Sequence, residues 1–276
     1  MKKKNHYIYL SVLSVGTVLV IWWMVTDVLK MFPPTMLPSP VRVMETFFVK
    51  MYEKKPDGYT LMVHLWSSLK TVLSGYILGV VIGVPLGIMM AWFKPVDRFV
   101  RPVLDLIKPV PGIAWIPVMI VFFGIGLMAR SMIVFLSAFI ACVVNSYSGV
   151  KQTRDVHLWV ARTFGGSNLQ QLFGIAIPTA LPMIMTGLRV ALGAAWSAVI
   201  AAELLASSNG IGFMIQQSRG LYRPDIIVVG MITIGIVGTI LTWLLGLLEK
   251  KVLKVLNKRS ESAFSSSAAL RYASTN

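Results

Sequence analysis

Long apolar runs alternate with short polar interruptions along most of the chain. Because a helix needs roughly 20 mostly apolar residues to cross a bilayer, a run of that length predicts a transmembrane segment. Runs that meet or nearly meet this length cover residues 8–29, 67–93, 109–128, 130–149, 180–205 and 226–248. The pattern therefore predicts an all-α integral membrane protein with about six transmembrane helices.

The third predicted helix is interrupted at its start. A Lys-Pro-Val-Pro-Gly sequence at 108–112 opens it, and only residues 124–130 separate it from the fourth. Proline removes a backbone donor and glycine weakens a helix, so both favour a break. The sequence thus admits a short or broken third helix.

Polar segments divide the chain into four regions. We expect residues 1–30 to form an N-terminal transmembrane anchor, 31–65 an outer loop, 66–250 the membrane core and 251–276 a cytoplasmic tail. The anchor is expected to stay uncleaved, because bulky residues at 22–24 stand where a cleavage site needs small ones. Apolar residues in the outer loop have the spacing of an amphipathic helix lying on the membrane surface. These residues are Val41, Val43, Met44, Phe47, Phe48 and Met51.

A glycine stripe on the second predicted helix indicates close packing. Gly75, Gly79, Gly83 and Gly87 recur at every fourth residue, and Ala91 continues the series. A stripe without side chains lets a neighbouring helix approach closely, either within this chain or across a homodimer seam. A similar stripe on the sixth predicted helix consists of Gly230, Gly238 and Gly246.

Composition strengthens the membrane assignment and removes a competing one. Hydrophobic residues make up 56% of the chain and charged residues 13%, with a mean hydropathy of +0.73. A soluble domain is less apolar and carries about twice this share of charge. The net charge is +15, but the basic residues are spread over short loops and form no face with interleaved aromatic residues. Nucleic acid is therefore not an expected partner.

The distribution of basic residues predicts the direction of the helices. With both termini in the cytoplasm, sixteen of the 26 Lys and Arg residues lie inside, nine lie outside, and Arg189 lies within a helix. This excess on the inside favours that orientation. The first outer loop is discordant, since it and the residues beside it carry six of the nine outer basic residues, partly offset by Glu45, Glu53 and Asp57. The six are Arg42, Lys50, Lys54 and Lys55 in the loop, with Lys30 and Lys70 beside it.

Residue types that carry catalysis or bind metals are few and scattered. The single cysteine, Cys142, lies in an apolar run and excludes an internal disulfide. The three histidines, His6, His64 and His157, are too far apart for a metal site, and the chain has no Ser-His-Asp or Cys-His grouping. It also has no G-x-x-x-x-G-K-[ST] phosphate loop. We expect neither a catalytic nor a metal site, and any ATP hydrolysis must come from a partner.

Charged side chains inside predicted helices are functional candidates because a membrane disfavours them. Arg189 and Glu203 lie fourteen residues apart on the fifth predicted helix, which corresponds to about 320° of rotation and ~21 Å of rise. They therefore share a face near opposite ends. Either each reaches water at its own end, or the shared face lines a polar translocation path. In the second case Trp196 borders the path, and Asn145 and Ser148 line it from another side.

The segment 151–178 mixes polar and apolar residues. Its polar members are Lys151, Arg154, Asp155, Arg162, Asn168, Gln170 and Gln171. Its apolar members are Leu158, Val160, Ala161, Phe164, Leu169, Leu172 and Phe173. The charges cannot lie in hydrocarbon, and the apolar residues are too many for a solvated linker. The segment is predicted to be a short amphipathic helical element outside the membrane.

The spacing in this segment resembles the cytoplasmic signature loop of ABC-importer permeases. In that loop two alanine-like positions precede a glycine, and an aliphatic-x-aliphatic-proline group follows ten residues after it. The family's usual glutamate and first alanine are replaced here by Trp159 and Val160. The loop forms a coupling helix in the family, docking on a separate ATPase subunit, with the glycine at the point of closest approach. The resemblance assigns this coupling role to Val160, Ala161, Arg162, Phe164, Gly165, Ile175, Ile177 and Pro178.

The resemblance covers residues from about 37 to 247 and is nearest to the nitrate, sulfonate and taurine subgroup. It is carried by residues 37–40, 64–69, 83–87, 109–111, 114–117, 123–126, 145, 149–150, 193–196 and 201–203. It implies a type I ABC importer permease fold in a bacterial inner membrane. It further implies a homodimer, two copies of an ATPase that bind ATP and Mg, and a substrate-binding protein. The implied substrate is a small anion such as an aliphatic sulfonate, taurine or nitrate.

Three other interpretations remain open at the level of the sequence. The first is a permease of the same kind for a heterocyclic vitamin precursor. The second is a stand-alone secondary carrier or channel, although the chain lacks the internal repeats with matching interrupted helices that are typical of carriers. The third is a membrane enzyme, which the absence of an acid–base pair or metal cluster disfavours.

Overall fold

The computed structural model describes the backbone of residues 2–273, and the side chains of residues 9, 10 and 13–254. All regular structure in these residues is helical, which confirms the predicted all-α fold. The helices are α1 (Lys2–Trp23), α2 (Pro40–Tyr52), α3 (Leu61–Trp92), α4 (Lys94–Ile107), α5 (Ile116–Phe123), α6 (Leu127–Lys151), α7 (Asp155–Thr163), α8 (Asn168–Gln171), α9 (Ile177–Ala206), α10 (Ile211–Gly220) and α11 (Pro224–Ala273). Shorter helical turns are Met24–Val28, Gly112–Trp115 and Leu172–Ala176.

Four helical segments of the described chain are long and apolar enough to cross a membrane. They are Leu61–Trp92, Leu127–Lys151, Asn168–Ala206 and Pro224–Lys254. These segments correspond to the second, fourth, fifth and sixth predicted helices. The first predicted helix falls in α1 and the turn after it, and their described stretch Leu13–Val28 is apolar.

The third predicted run, 109–128, is not one continuous helix. α4 and the segment Gly112–Phe123 meet at an angle of 89°, and residues 108–111 between them are not helical. Pro109 and Pro111 lie in this gap; neither can donate a backbone hydrogen bond. The two arms together are apolar enough to form one broken span.

α4 lies in the polar interruption between the second and third apolar runs, where no helix was predicted from the sequence. It carries Pro95 at its start and Asp97 in its first turn, and both are favourable at a helix N-terminus. Leu104 on its apolar side is buried against Met90 of α3 and Val143 of α6. Pro95 and Asp97 are recognisable in the sequence as helix-start residues, but the basic residues of this segment were used only to predict topology.

The chain divides into two compact units, and the first contains residues 1–69 and 203–236. Its core is formed by Val43, Leu61, Ile211, Met214, Ile226 and Val229. α2 lies within the predicted outer loop, and Ser39 caps its N-terminus by accepting a hydrogen bond from the N–H of Arg42. Phe47 and Met51 of α2 also pack on this core. α2 therefore packs against the first residues of the long apolar helices α3 and α11.

The second unit contains residues 70–202 and 237–276, and its helices α3 and α6 pack along the glycine stripe. A Cβ added at Gly79 would lie 2.8 Å from Cβ of Ala138, and one at Gly83 would lie 2.9 Å from Cβ of Cys142. Real Cβ atoms do not approach so closely, so only glycine permits this contact. The stripe therefore packs within the chain rather than requiring a second copy.

Candidate functional site

α7 carries an apolar face that is open to solvent. Val156, Trp159, Val160 and Phe164 are 58%, 61%, 51% and 87% exposed, and their spacing of three or four residues places them on one side of the helix. No residue of α7 is buried. We refer to these four side chains as the α7 face. An exposed apolar patch of this kind is typical of an interaction site.

A glycine pair ends α7 sharply. Gly165 has a φ of +79°, its N–H donates to the carbonyl of Arg162, and the N–H of Gly166 donates to the carbonyl of Ala161, each at 2.9 Å. Such a left-handed termination favours glycine. A Cβ at Gly165 would meet no atom of the described chain within 4 Å. The requirement for glycine inside this chain is therefore conformational, and its predicted close approach to a partner stays a prediction.

Hydrogen bonds within the segment hold the turn after α7 in place. Arg162 Nε donates to Gln171 Oε1 at 3.2 Å, and Gln171 Nε2 donates to the carbonyl of Gly166 at 2.9 Å. Gln171 is buried. Ser167 and Gln170 form a reciprocal capping box at the start of α8. Sequence reasoning gave Gln171 no role, although the Ser-x-x-Gln spacing beside it was a recognisable helix-start signal.

The aliphatic-x-aliphatic-proline group leads directly into α9. Ile175 lies in the π-helical turn, and Ile177 and Pro178 are the first two residues of α9; all three are half-buried. Around them, a buried cluster anchors the segment to the ends of α3 and α6. It contains Ala91, Val150, Leu172, Ala176, Ala180 and Ile184. The chain that follows α7 is therefore fixed by a buried apolar cluster, which we call the packed base.

Two of the predicted path residues take part in helix packing. Asn145 Nδ2 donates to the carbonyl of Ala141 at 2.8 Å, and its side chain fills the space beside Gly187 of α9. Trp196 lies against α11, where a Cβ at Gly238 would be 2.9 Å from the indole Nε1. Their assignment to a translocation path stays a prediction.

Arg189 is engaged by an acidic partner on α11. Its guanidinium forms an ion pair with the carboxylate of Glu249. The arginine side chain is 49% exposed and the glutamate 19%. The pair joins α9 to α11, a contact that sequence reasoning missed because the two residues are sixty positions apart.

Glu203 is buried in the first unit, where it lies against the N-terminus of α10. It is 1% exposed, and its Oε2 accepts hydrogen bonds from the hydroxyl of Ser68 at 2.8 Å and the N–H of Gly212 at 2.9 Å. Ser68 Oγ in turn accepts from the N–H of Ile211 at 2.9 Å. A carboxylate at this position is favourable, because a helix N-terminus carries a partial positive charge. In this conformation Glu203 therefore stabilises α10, and its role in the path stays a prediction.

A second set of buried charges lies in the same unit. The ammonium of Lys50, 2% exposed, donates to Asp57 Oδ1 at 2.5 Å, to the carbonyl of Tyr59 at 2.8 Å and to the carbonyl of Lys55 at 3.0 Å. These contacts use all three of its donors. Lysine side chains are usually exposed, but these three hydrogen bonds allow Lys50 to be buried.

His64 extends this set to α10. Its Nε2 lies 3.1 Å from Asp57 Oδ2, although the two groups are too poorly aligned for a well-formed hydrogen bond. Its Nδ1 accepts from the N–H of Gly210 at 3.0 Å, which places the proton of the neutral ring on Nε2, toward Asp57. Burial acts to raise the pKa of Asp57, but the hydrogen bond and positive charge of Lys50, together with the polar imidazole of His64 beside it, outweigh burial and lower the pKa below its ordinary value. Lys50, Asp57 and His64 are called the buried polar network below.

Several clefts open in the second unit, and two of them share a lining residue. The α9 cleft, of about 390 Å³, is lined by Lys108, Val110, Pro111, Gly112, Ile113, Ser137, Ile140, Ala194, Ser197, Ala198 and Ala201. The α4 cleft, of about 200 Å³, is lined by Met90, Arg101, Leu104, Lys108, Val143, Val144, Tyr147 and Ser148. Of the predicted path residues only Ser148 lines either cleft.

The sequence of the apolar spans and of the segment containing α7 matches a known family. Residues 83–254 match the family of binding-protein-dependent transport system inner membrane components. The chain belongs to this family. It is therefore the multi-pass inner-membrane permease of an ATP-driven importer, and it works with binding-protein and ATPase partners.

Curated relatives cover almost the whole chain. The taurine transport system permease protein of Escherichia coli is 33% identical over 90% of this chain and 90% of its own. The putative aliphatic sulfonates transport permease protein of Bacillus subtilis is 30% identical over 92% and 90%. The nitrate import permease protein of a Synechocystis strain is 29% identical over 89% of both chains.

A solved structure has the same fold. It is a methionine ABC transporter in an inward-facing conformation, which matches with a TM-score of 0.58 at 20% identity, over 71% of this chain and 95% of that one. This likeness supports the predicted type I importer fold. It does not bear on substrate, because its identity is too low.

Proposed function

We propose that this chain forms the translocation path for a small anionic solute, such as an aliphatic sulfonate, taurine or nitrate. The substrates named for its relatives share little beyond small size and an anionic group. Lys108 lines both the α9 cleft and the α4 cleft, and Arg101 also lines the α4 cleft. A cationic lining supports passage of an anion rather than of a cation.

The proposed assembly contains two copies of this chain, two ATPase subunits and a binding protein on the outer face. ATP and Mg bind to the ATPase subunits, and this chain contributes no catalytic residue. Closure of the ATPase pair pushes on α7, and the packed base around Leu172 and Ala176 transmits the movement into α9 as a two-state rigid-body change. The solute is released when the helices return.

The α7 face is the single observation that carries this proposal. The turn after α7 satisfies its own polar groups through Arg162, Gln171 and Gly166, yet four large apolar side chains beside it remain exposed. A segment that is held rigidly while presenting apolar surface is suited to docking in a groove of another subunit. We assign that groove to the ATPase.

We also propose that both termini lie in the cytoplasm. The discordant outer loop is the main objection. Its Lys50 is paired with Asp57 at 2.5 Å, and its Arg42 Nε lies 4.0 Å from Asp225 Oδ2. Even with this loop counted, sixteen basic residues lie on the cytoplasmic side and nine lie outside, and this excess supports the proposed orientation.

Uptake into proteoliposomes tests the substrate class. The chain is reconstituted with the ATPase and binding protein encoded beside it, and taurine, an alkanesulfonate, nitrate and an uncharged pyrimidine are supplied. We expect ATP-dependent uptake of at least one anion. Uptake of the pyrimidine alone would show that the proposed substrate class is wrong.

Substitution at the α7 face tests the coupling role in the same preparation. Phe164→Asp places a charge in the proposed groove and should abolish ATPase association and uptake, because an unpaired charge is costly in an apolar interface. Gln152→Asp adds the same charge at an exposed polar position of the segment and serves as the control. Normal coupling by Phe164→Asp would remove the α7 face from the proposal.

A further inference from the structure

Lys108 is the residue that the α9 cleft and the α4 cleft have in common. It lines the α9 cleft with Ser137 and Ser197, and the α4 cleft with Arg101 and Tyr147. It follows the last residue of α4, at the break where the chain bends by 89° before α5. The Lys108 side chain can therefore contact a solute in either cleft.

The partner of Lys108 is weakly held. Its Nζ lies 3.0 Å from Asp105 Oδ1, and the side chains of the lysine and aspartate are 38% and 57% exposed. An exposed pair of this kind contributes little to stability, so another anion can displace the aspartate. Lys108 is therefore available for exchange.

Two arginines of this unit are more firmly engaged. The guanidinium of Arg101 makes two-pronged contact with Asp97, with distances of 2.9 and 3.1 Å, and also reaches the hydroxyl of Tyr147. Arg189 is paired with Glu249, which is only 19% exposed. Planar, bidentate pairing of arginine is stronger than a single lysine contact. Lys108 is thus better suited than either arginine to a transient anion contact.

The rest of the α9 cleft fits a small anion with an apolar part. Its α9 wall consists of Ala194, Ser197, Ala198 and Ala201, none larger than serine, and a cleft of about 390 Å³ is within the size range of small-molecule sites. Ser197 places a hydroxyl group in this lining, whereas the hydroxyl of Ser137 donates to the carbonyl of Ile133 at 3.1 Å. The hydroxyl of Ser197 can donate to an oxyanion while the alanines contact carbon.

We propose that Lys108 is the anion-selecting residue of the translocation path. This inference rests on the proposed function and names the residue that reads the charge of the solute. The ammonium of Lys108 leaves Asp105 and contacts the anionic group in the α9 cleft. The solute then moves past Lys108 to the α4 cleft, where Tyr147 and Ser148 lie, and Asp105 recovers its partner.

Matched substitutions in the reconstituted importer test this role. With the transported anion below saturation, we expect Lys108→Gln to lower uptake about tenfold, the cost of one charged hydrogen bond. Lys108→Arg should retain most uptake because it keeps the charge. Lys94→Gln removes an exposed lysine of α4 that lines neither cleft and should have no effect. Yield of the purified permease–ATPase complex shows whether each variant folds and assembles.

Chemical restoration of the charge gives a second readout. In Lys108→Cys, an aminoethyl methanethiosulfonate attaches a side chain close to lysine in length and charge and should restore uptake. The sulfonatoethyl reagent attaches an anion and should not. The native thiol, Cys142, is buried and 1% exposed, so the wild-type protein serves as the unlabelled control.

The outcomes separate this inference from the proposed function. If the wild-type importer carries an anion and Lys108→Gln carries it equally well at low concentration, the inference alone is wrong. Equal rescue by both reagents would likewise contradict a role of charge. If the wild-type importer carries none of the anions, the proposed substrate class fails, and Lys108 has no anion to select.

Discussion

The α7 face and the buried polar network depart from the usual distribution of side chains in opposite ways. α7 leaves Phe164 87% exposed, whereas Lys50, Asp57 and His64 are almost completely buried. The network finds its partners within the first unit, so its chemistry is complete in one chain. The α7 face has no apolar partner in the described part of the chain. Its burial energy becomes available only when another subunit binds.

This difference predicts where substitutions affect stability and where they affect assembly. Changes in the network should destabilise the permease even when it is alone, because they leave buried charges without partners. Changes at the α7 face should leave the isolated permease stable, because exposed side chains contribute little to its folding. The two regions can therefore be separated by measuring stability and ATPase association on the same variants.

The largest expected effect is at Asp57. Asp57→Asn leaves the ammonium of Lys50 buried without a counter-charge, which typically costs about 3–5 kcal/mol. Thermal unfolding of the detergent-solubilised permease should show a large loss of stability relative to Glu45→Gln, which makes the same kind of change at an exposed position of α2. Replacing both partners, Lys50→Met with Asp57→Leu, should recover much of the loss. Equal stability of Asp57→Asn and Glu45→Gln would contradict the network.

Acid should reproduce part of this effect. The pKa of Asp57 is lowered in the folded protein, so its stabilising contribution is complete above the ordinary aspartate pKa of about 4 and is lost as the pH falls through the lower, folded value. The loss down to pH 3 should be smaller than in Asp57→Asn, because the lowered pKa of Asp57 leaves part of the carboxyl groups ionised at that pH. Unfolding measured between about pH 6 and pH 3 should show a steeper acid decline in the wild type than in the Lys50→Met, Asp57→Leu variant. Parallel curves would exclude this contribution.

The same comparison explains what sequence reasoning could reach. α7, its end at Gly165 and the capping box at Ser167 follow from neighbouring residues, because helix ends are determined locally. The glycine stripe of α3 also predicted a close contact, though not that α6 of the same chain provides it. Such features are legible because their spacing alone defines their geometry.

The buried polar groups could not be reached in this way. Glu203 is bound by Ser68, 135 positions away, and His64 by the backbone of Gly210, 146 positions away. Periodicity placed Arg189 and Glu203 on one face, but it could not reveal that each has its own partner. Pairing of distant residues depends on how the helices pack, and the spacing of residues along one sequence does not reveal that packing.

The smallest expected effect on stability, and the most informative about α7, is at Gly165. Its φ of +79° disfavours any residue with a Cβ, so Gly165→Ala should destabilise the turn by about 1 kcal/mol. Gly174 is the matched control, because it lies in the same segment with open space around it and no left-handed backbone. If the turn positions the α7 face for the ATPase, Gly165→Ala should reduce uptake and ATPase association far more than this small destabilisation explains, while Gly174→Ala leaves both unchanged. If Gly165→Ala loses uptake only in proportion to folded protein, the turn is a structural feature of the chain, and the docking role must rest on the exposed side chains alone.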